Sequence, residues 1–154
     1  GSEALLNEAR SALALNDSAS AKLYYTQVTA EIKGEAQAES NYYLAHFEYV
    51  QSKYEASNER IFWMIDNLPT YPHWRWKSLL LMAKNYAGLQ DDFQANYTLD
   101  YIIDNAEGAI VGEAQQFKSD LARRRAAEEA QAQISDTLEV APTEMEELEE
   151  LDQE

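Results

Sequence analysis

The chain has no cysteine, so disulfides and thiolate metal sites are excluded and the redox compartment stays open. Glycine and proline are scarce, at five and three residues, which leaves few points where a helix must break. Alternation of apolar and polar residues with period two is absent throughout, so no strand is expected. No apolar run approaches the ~18 residues that span a bilayer, and no signal peptide is visible; the chain is read as not membrane-spanning. Bases are few: 12 Lys and Arg against 28 Asp and Glu give a net charge of −16. Nucleic acid is excluded as a partner on that ground, because phosphate binding needs clustered Lys and Arg. The two histidines, His46 and His73, belong to no metal-ligand spacing. No Gly-rich phosphate loop, serine nucleophile elbow or paired-acid motif is present. The numerous carboxylates read as solvated helix faces, so no enzymatic activity, cofactor or metal is expected.

What is present favours a folded helical body. Hydrophobic residues make up 45% of 154, with ten Tyr and three Trp, enough for the core of one domain. Ala, Glu, Leu and Gln are abundant, as in helices. Gly1-Ser2 reads as the remnant of a cleaved tag. The charge is uneven, because nine of the 28 acids and no base lie in residues 135–154. The other 134 residues hold 19 acids and 12 bases and carry −7.

An internal repeat organises the body. Residues 40–67 and 78–105 align without a gap at an offset of 38. Ser40 matches Ser78, Leu44 matches Met82, Ala45 matches Ala83, Ser57 matches Ala95 and Ile61 matches Leu99. Ile65-Asp66-Asn67 recurs as Ile103-Asp104-Asn105. Each unit reads as two helices. Leu79, Met82, Ala83 and Tyr86 fall at helical spacing, Gly88 and Gln90-Asp91 break the pattern, and Phe93, Leu99, Ile102 and Ile103 begin a second stripe. Upstream, residues 3–15 and 19–33 read as a divergent first unit, with Ala21, Tyr25 and Val28 on its second helix. Downstream, residues 109–134 read as one long polar helix that caps the stack.

Met82-Ala83-x-x-Tyr86 followed by Ala95-x-x-x-Leu99 resembles the tetratricopeptide pattern. Leu44-Ala45, Ser57, Ile61 and Pro69 match it in the preceding unit. The resemblance covers residues 3–130. It implies an all-α fold: a right-handed α-solenoid of antiparallel helix pairs, about three units plus a C-terminal capping helix. The small residues Ala45 with Ser57, and Ala83 with Ala95, are the expected points of close helix approach. The pattern departs from the family in its period, in Glu48 at the usual Tyr position, and in the missing Pro of the second unit. The extra residues are placed in the linker 68–72. More narrowly, residues 36–114 resemble tetratricopeptide proteins of the Bacteroidetes cell envelope. That implies an exported scaffold, periplasmic or associated with the outer membrane; without that likeness the compartment would be the cytoplasm.

The family geometry also implies where a partner protein or peptide would bind. The first helix of each unit lines a concave groove, which places Glu39, Tyr42, His46 and Tyr49 in one unit and Lys77, Leu80 and Lys84 in the next. Tyr, His and Lys on one face suit a peptide with apolar and acidic groups. The blander alternative is that Tyr42 and Tyr49 pack between units. Tyr71, Trp74 and Trp76 form an aromatic-rich stretch that is either an exposed hot spot or, as favoured here, filling for the joint between units. The tail, residues 135–154, has two readings: disorder, or a short helix begun by the Thr143–Glu146 capping box with Met145, Leu148 and Leu151 as docking anchors. Self-association through the repeat ends or the tail is a further expectation. Against a dedicated ligand groove stands a second reading, a structural segment of a longer array.

Overall fold

The computed structural model describes residues 1–139 in full and the helical backbone of residues 140–152. Among these residues there are seven helices and no strand: α1 (Ser2–Ala14), α2 (Ser18–Glu31), α3 (Glu35–Val50), α4 (Tyr54–Asn67), α5 (Pro72–Gly88), α6 (Asp92–Asn105) and α7 (Ala109–Asp152). No described helix is long and apolar enough to cross a membrane. From α1 to α6 each helix packs on the next, and α3 also packs on α5. The chain divides into two compact units, residues 1–115 and 116–154.

The backbone of the first unit repeats three times. The turns α1–α2, α3–α4 and α5–α6 each place one residue in the left-handed region: Asn16 at φ 57°, Ser52 at 60° and Gln90 at 61°. Their N–H groups donate to the carbonyls of Leu13, Tyr49 and Ala87 at 3.1, 2.9 and 3.1 Å. The next residues, Asp17, Lys53 and Asp91, donate to Ala12, Glu48 and Tyr86 at 2.9, 2.8 and 2.9 Å. This pair of bonds is the Schellman closure, which satisfies the last carbonyls of a helix through one left-handed residue. The pairs are joined by extended residues, Ile32, Leu68 and Ala106. All these positions are related by offsets of 36 and then 38 residues.

Packing follows the same register. Ala9, Ala45 and Ala83 on the first helices are fully buried, as are Ala21, Ser57 and Ala95 twelve residues later. Small side chains here let the two axes approach. The Ser57 hydroxyl adds a bond, donating to the Ala45 carbonyl at 2.7 Å. Tyr25, Ile61 and Leu99 fill the next layer, and Val28, Met64 and Ile102 the one after. Between units, Ala9, Ala12, Ala21, Tyr25, Leu44 and Phe47 form one cluster, and Ala38, Met64 and Trp74 another. Asn85, fully buried on α5, donates to Ser57 Oγ at 2.8 Å and to Asn58 Oδ1 at 2.9 Å on α4. Glu48, at the departing position, holds Arg60 of α4 at 2.6 Å.

Several expectations change. The N-terminal pair, read as a divergent unit, repeats the backbone of the others at an offset of 36. Phe93, assigned to the inward stripe of α6, is 78% exposed; the inward face is set by Ala95, Leu99 and Ile102. The break read at Gly88 and Gln90-Asp91 is where α5 ends, with the turn at 89–91. A Cβ at Gly88 would come within 2.5 Å of the Tyr54 ring, so the residue is kept small by contact with α4. The backbone of α7 runs on through residues 135–152. Met145, Leu148 and Leu151, the expected tail anchors, lie outside the fully described residues.

The second unit is described by its local contacts. Gln116 Nε2 donates to Asp120 Oδ1 at 2.9 Å, and Arg123 pairs with the same carboxylate. Arg125 pairs with Glu128 at 3.1 Å, and the Arg124 guanidinium lies 5.5 Å from the Phe117 ring centre. Such i, i+3 pairs on an exposed helix are worth a few tenths of a kcal/mol each.

Candidate functional site

The first turns of α7 that belong to the first unit, together with α3 and α5, enclose a cleft of about 320 Å³. Its walls are Tyr42, His46 and Tyr49 from α3, Lys77, Leu80, Leu81 and Lys84 from α5, and Ile110 and Glu113 from α7. Spacing of three and four residues puts the α3 and α5 side chains on single helix faces.

The α3 wall is a ladder of rings. His46 stacks on Tyr42 at 6.3 Å between centroids and on Tyr49 at 6.2 Å, with interplanar angles of 25° and 8°. Tyr49 meets Tyr54 edge-on at 5.9 Å. At the other end Tyr42 touches Tyr43 and Trp74, at 5.1 and 5.8 Å, and Tyr43 stacks on Tyr25 at 5.0 Å. The Lys77 ammonium sits over three of these rings, 5.0 Å from Tyr42, 5.4 Å from Trp74 and 5.9 Å from Tyr43. The negative ring faces hold the cation and fix its position.

Charge in the cleft is divided. Lys77 and Lys84 lie on α5, whereas Glu113 enters from α7. Burial, then Lys84 and Lys77, push the His46 imidazole below its usual range, which favours its neutral form. Burial pushes the Tyr42 phenol up to about 12, with smaller contributions from Tyr43 and Glu113. The phenol therefore stays a neutral donor at physiological pH. A larger cleft of about 630 Å³ adjoins it, lined by Pro72, His73, Trp76, Asn105, Glu107 and Ala109. Lys77, Ile110 and Glu113 are common to both, so the two form one continuous groove along α5.

Six of the seven groove positions read from the sequence meet here: Tyr42, His46, Tyr49, Lys77, Leu80 and Lys84. Glu39 does not. It is 6% exposed, and its two carboxylate oxygens accept from Arg10 Nε and Nη2 at 3.1 and 3.0 Å. The α7 wall escaped the sequence reading, which treated residues 109–134 as a cap. Its signal was local: the apolar pair Ile110-Val111 opens an otherwise polar helix.

The aromatic stretch divides. Trp74 is buried among Ala38, Met64 and Tyr42, and Tyr71 packs against the same cluster. The crevice left beside them is about 20 Å³, room for about one water and not for a side chain. These two residues fill the joint between units. Trp76 instead leans on Tyr101 of α6 at 5.9 Å. Compared with protein-family models, with characterised proteins and with solved structures, the chain matches none.

Proposed function

We propose that this chain is a tetratricopeptide-type scaffold domain that binds a peptide segment of a partner protein in the groove along α5. The observation that carries the reading is the cleft between α3, α5 and the start of α7. It combines a preformed ring ladder, two ammonium groups and one carboxylate in a space that suits side chains. Rigid aromatic rings give contact area at low entropic cost, and such residues dominate binding energy at protein interfaces. Support for the family comes from the threefold repeat of turns and from the small residues at each crossing.

The charge pattern defines the peptide. An apolar side chain lies along Leu80, Leu81 and Ile110, and an acidic one reaches Lys84 and Lys77. A backbone N–H or a base is placed beside Glu113. Held in register by these contacts, the segment joins its parent protein to this one without chemistry on either.

The test is selection of peptides from a random displayed library against the intact protein, followed by affinity measurement on the double variant Lys77→Glu, Lys84→Glu. Enriched peptides carrying acidic and apolar residues should lose at least tenfold in affinity, about 1.4 kcal/mol. Peptides that bind the parent and this variant equally would remove the groove as the binding site.

A further inference from the structure

The solvent face of α6 departs from the rest of the repeat. Phe93, Tyr97 and Tyr101 stand on successive turns and are 78%, 67% and 46% exposed. Trp76 of α5, 5.9 Å from Tyr101, extends the row. The repeat supplies its own control. The positions of α4 that correspond to Phe93 and Tyr97 are Glu55 and Glu59, both exposed, and those of α2 are Ala19 and Leu23. At the third position α4 does carry a ring, Trp63, which is 45% exposed where Tyr101 stands in α6. Phe93 and Tyr97, which stand where α4 has carboxylates, therefore serve something other than the packing of the pair, whose inward face is already filled by Ala95, Leu99 and Ile102.

Charge identifies what covers them. Helix α6 has three acids, Asp92, Asp100 and Asp104, and no base. Asp100 and Asp104 follow Phe93 by two and three turns and share its face. A neutral apolar partner would strip water from the exposed Asp104 with no return. A second copy of this chain would bring another −16 to the contact. A basic segment suits both features: guanidinium or ammonium groups lie over the ring faces and pair with the carboxylates between them. The net negative charge also draws such a segment in at long range.

We infer that the solvent face of α6, with Phe93, Tyr97 and Tyr101 at its centre, docks a basic amphipathic segment of another protein. It is a second surface, which meets the groove along α5 where Trp76 reaches Tyr101, and on the reading proposed above it gives a scaffold a second partner of opposite charge preference.

The test uses the full chain, labelled for amide NMR, at ~0.15 M salt, where weak surface attraction is screened. The probe is a synthetic helix of about four turns with Arg and Leu on one face, and its counterpart has every Arg replaced by Glu. The inference expects shifts clustered on residues 93–104 with the Arg peptide and none with the Glu peptide. Phe93→Glu with Tyr97→Glu, the residues α4 carries at these positions, should weaken binding by roughly tenfold or more. The same variant should keep the parent helical circular dichroism and the parent affinity for groove peptides. Shifts confined to the acidic residues 136–154, or unchanged affinity in the variant, would overturn it. So would concentration-dependent shifts at residues 93–104 without peptide, which would assign the face to a second copy.

Discussion

His46 lies buried between two phenol rings and within reach of two ammonium groups, and the burial and the ammonium charges disfavour the imidazolium. Burial contributes most, then Lys84, then Lys77, while Glu113 lines the same cleft. The folded protein thus binds the His46 proton less readily than the unfolded chain does, whose imidazole titrates near ~6.5. The sign of the pH effect follows from that difference. Stability from neutral His46 is present above the unfolded value and is lost as pH falls below it toward the lower folded value. An NMR titration of the His46 ring should give a midpoint below ~6.5. It should move upward in the Lys84→Ala variant and further upward when an acidic peptide fills the cleft. A midpoint at or above the free value in the unliganded protein would contradict the described surroundings. Lys77 matters in a different way. Its ammonium already occupies the ring faces of Tyr42, Tyr43 and Trp74, so a cationic ligand finds that position taken and an anionic one finds a counter-charge fixed in place.

Helices α2, α4 and α6 begin at corresponding positions but are not capped alike. Asp17 accepts from the Ser20 N–H and Asp91 from the Gln94 N–H, each at 3.1 Å. The hydrogen bonds from Ser20 hold the Asp17 carboxyl below the usual carboxylate range. In α4 the position is Lys53, which makes no side-chain cap and puts a positive charge at the positive helix end. Lys53→Asp should supply the missing acceptor to the Ala56 N–H. Stabilisation of about 1 kcal/mol is expected, or roughly 2–4 °C in Tm for a chain of this size. Thermal melting checks it, and an unchanged or lower Tm would show that α4 gains nothing from the cap. Element by element, the legible parts were those with strong apolar periodicity. The units at 40–67 and 78–105 could be aligned because Leu44 and Met82 mark the same buried position. In the first unit that position is the exposed Glu8, and the shared layer is alanine, which any helix tolerates. Phe93 was misplaced because one large apolar residue at helical spacing looks inward until its neighbours fix the face. Glu113 could not be assigned to the groove, since only tertiary packing brings the first turns of α7 to α3 and α5.

At the scale of the molecule, charge and contact pattern set the behaviour. A net −16 makes like-charge repulsion a cost of compactness, and salt should relieve it. Ion pairs oppose that trend, but in Arg10–Glu39 and Arg60–Glu48, the two that join different helices, the Arg stays partly in water. Pairs of that kind contribute ~0–1 kcal/mol. Raising NaCl from about 10 to 300 mM, which shortens the screening length from roughly 30 Å to under 10 Å, should therefore raise Tm by a few degrees. A fall in Tm over that range would mean that the ion pairs outweigh the repulsion. The all-helical class could be read before the structure, because it rests on local periodicity and on a repeat. The divided charge of the cleft could not, because Glu113 is remote in sequence from the lysines it faces. The packing of each helix on its sequence neighbour also bears on how quickly the first unit reaches its native state. Every pair closes through a turn of three residues, and the next helix follows within three or four more. Chain ends never have to find each other across a long stretch of disordered polymer, so the entropic barrier to each step stays low. Chains with such short-range contacts reach the folded state in microseconds to milliseconds. The cleft between α3 and α5 is thus rebuilt almost as soon as it opens.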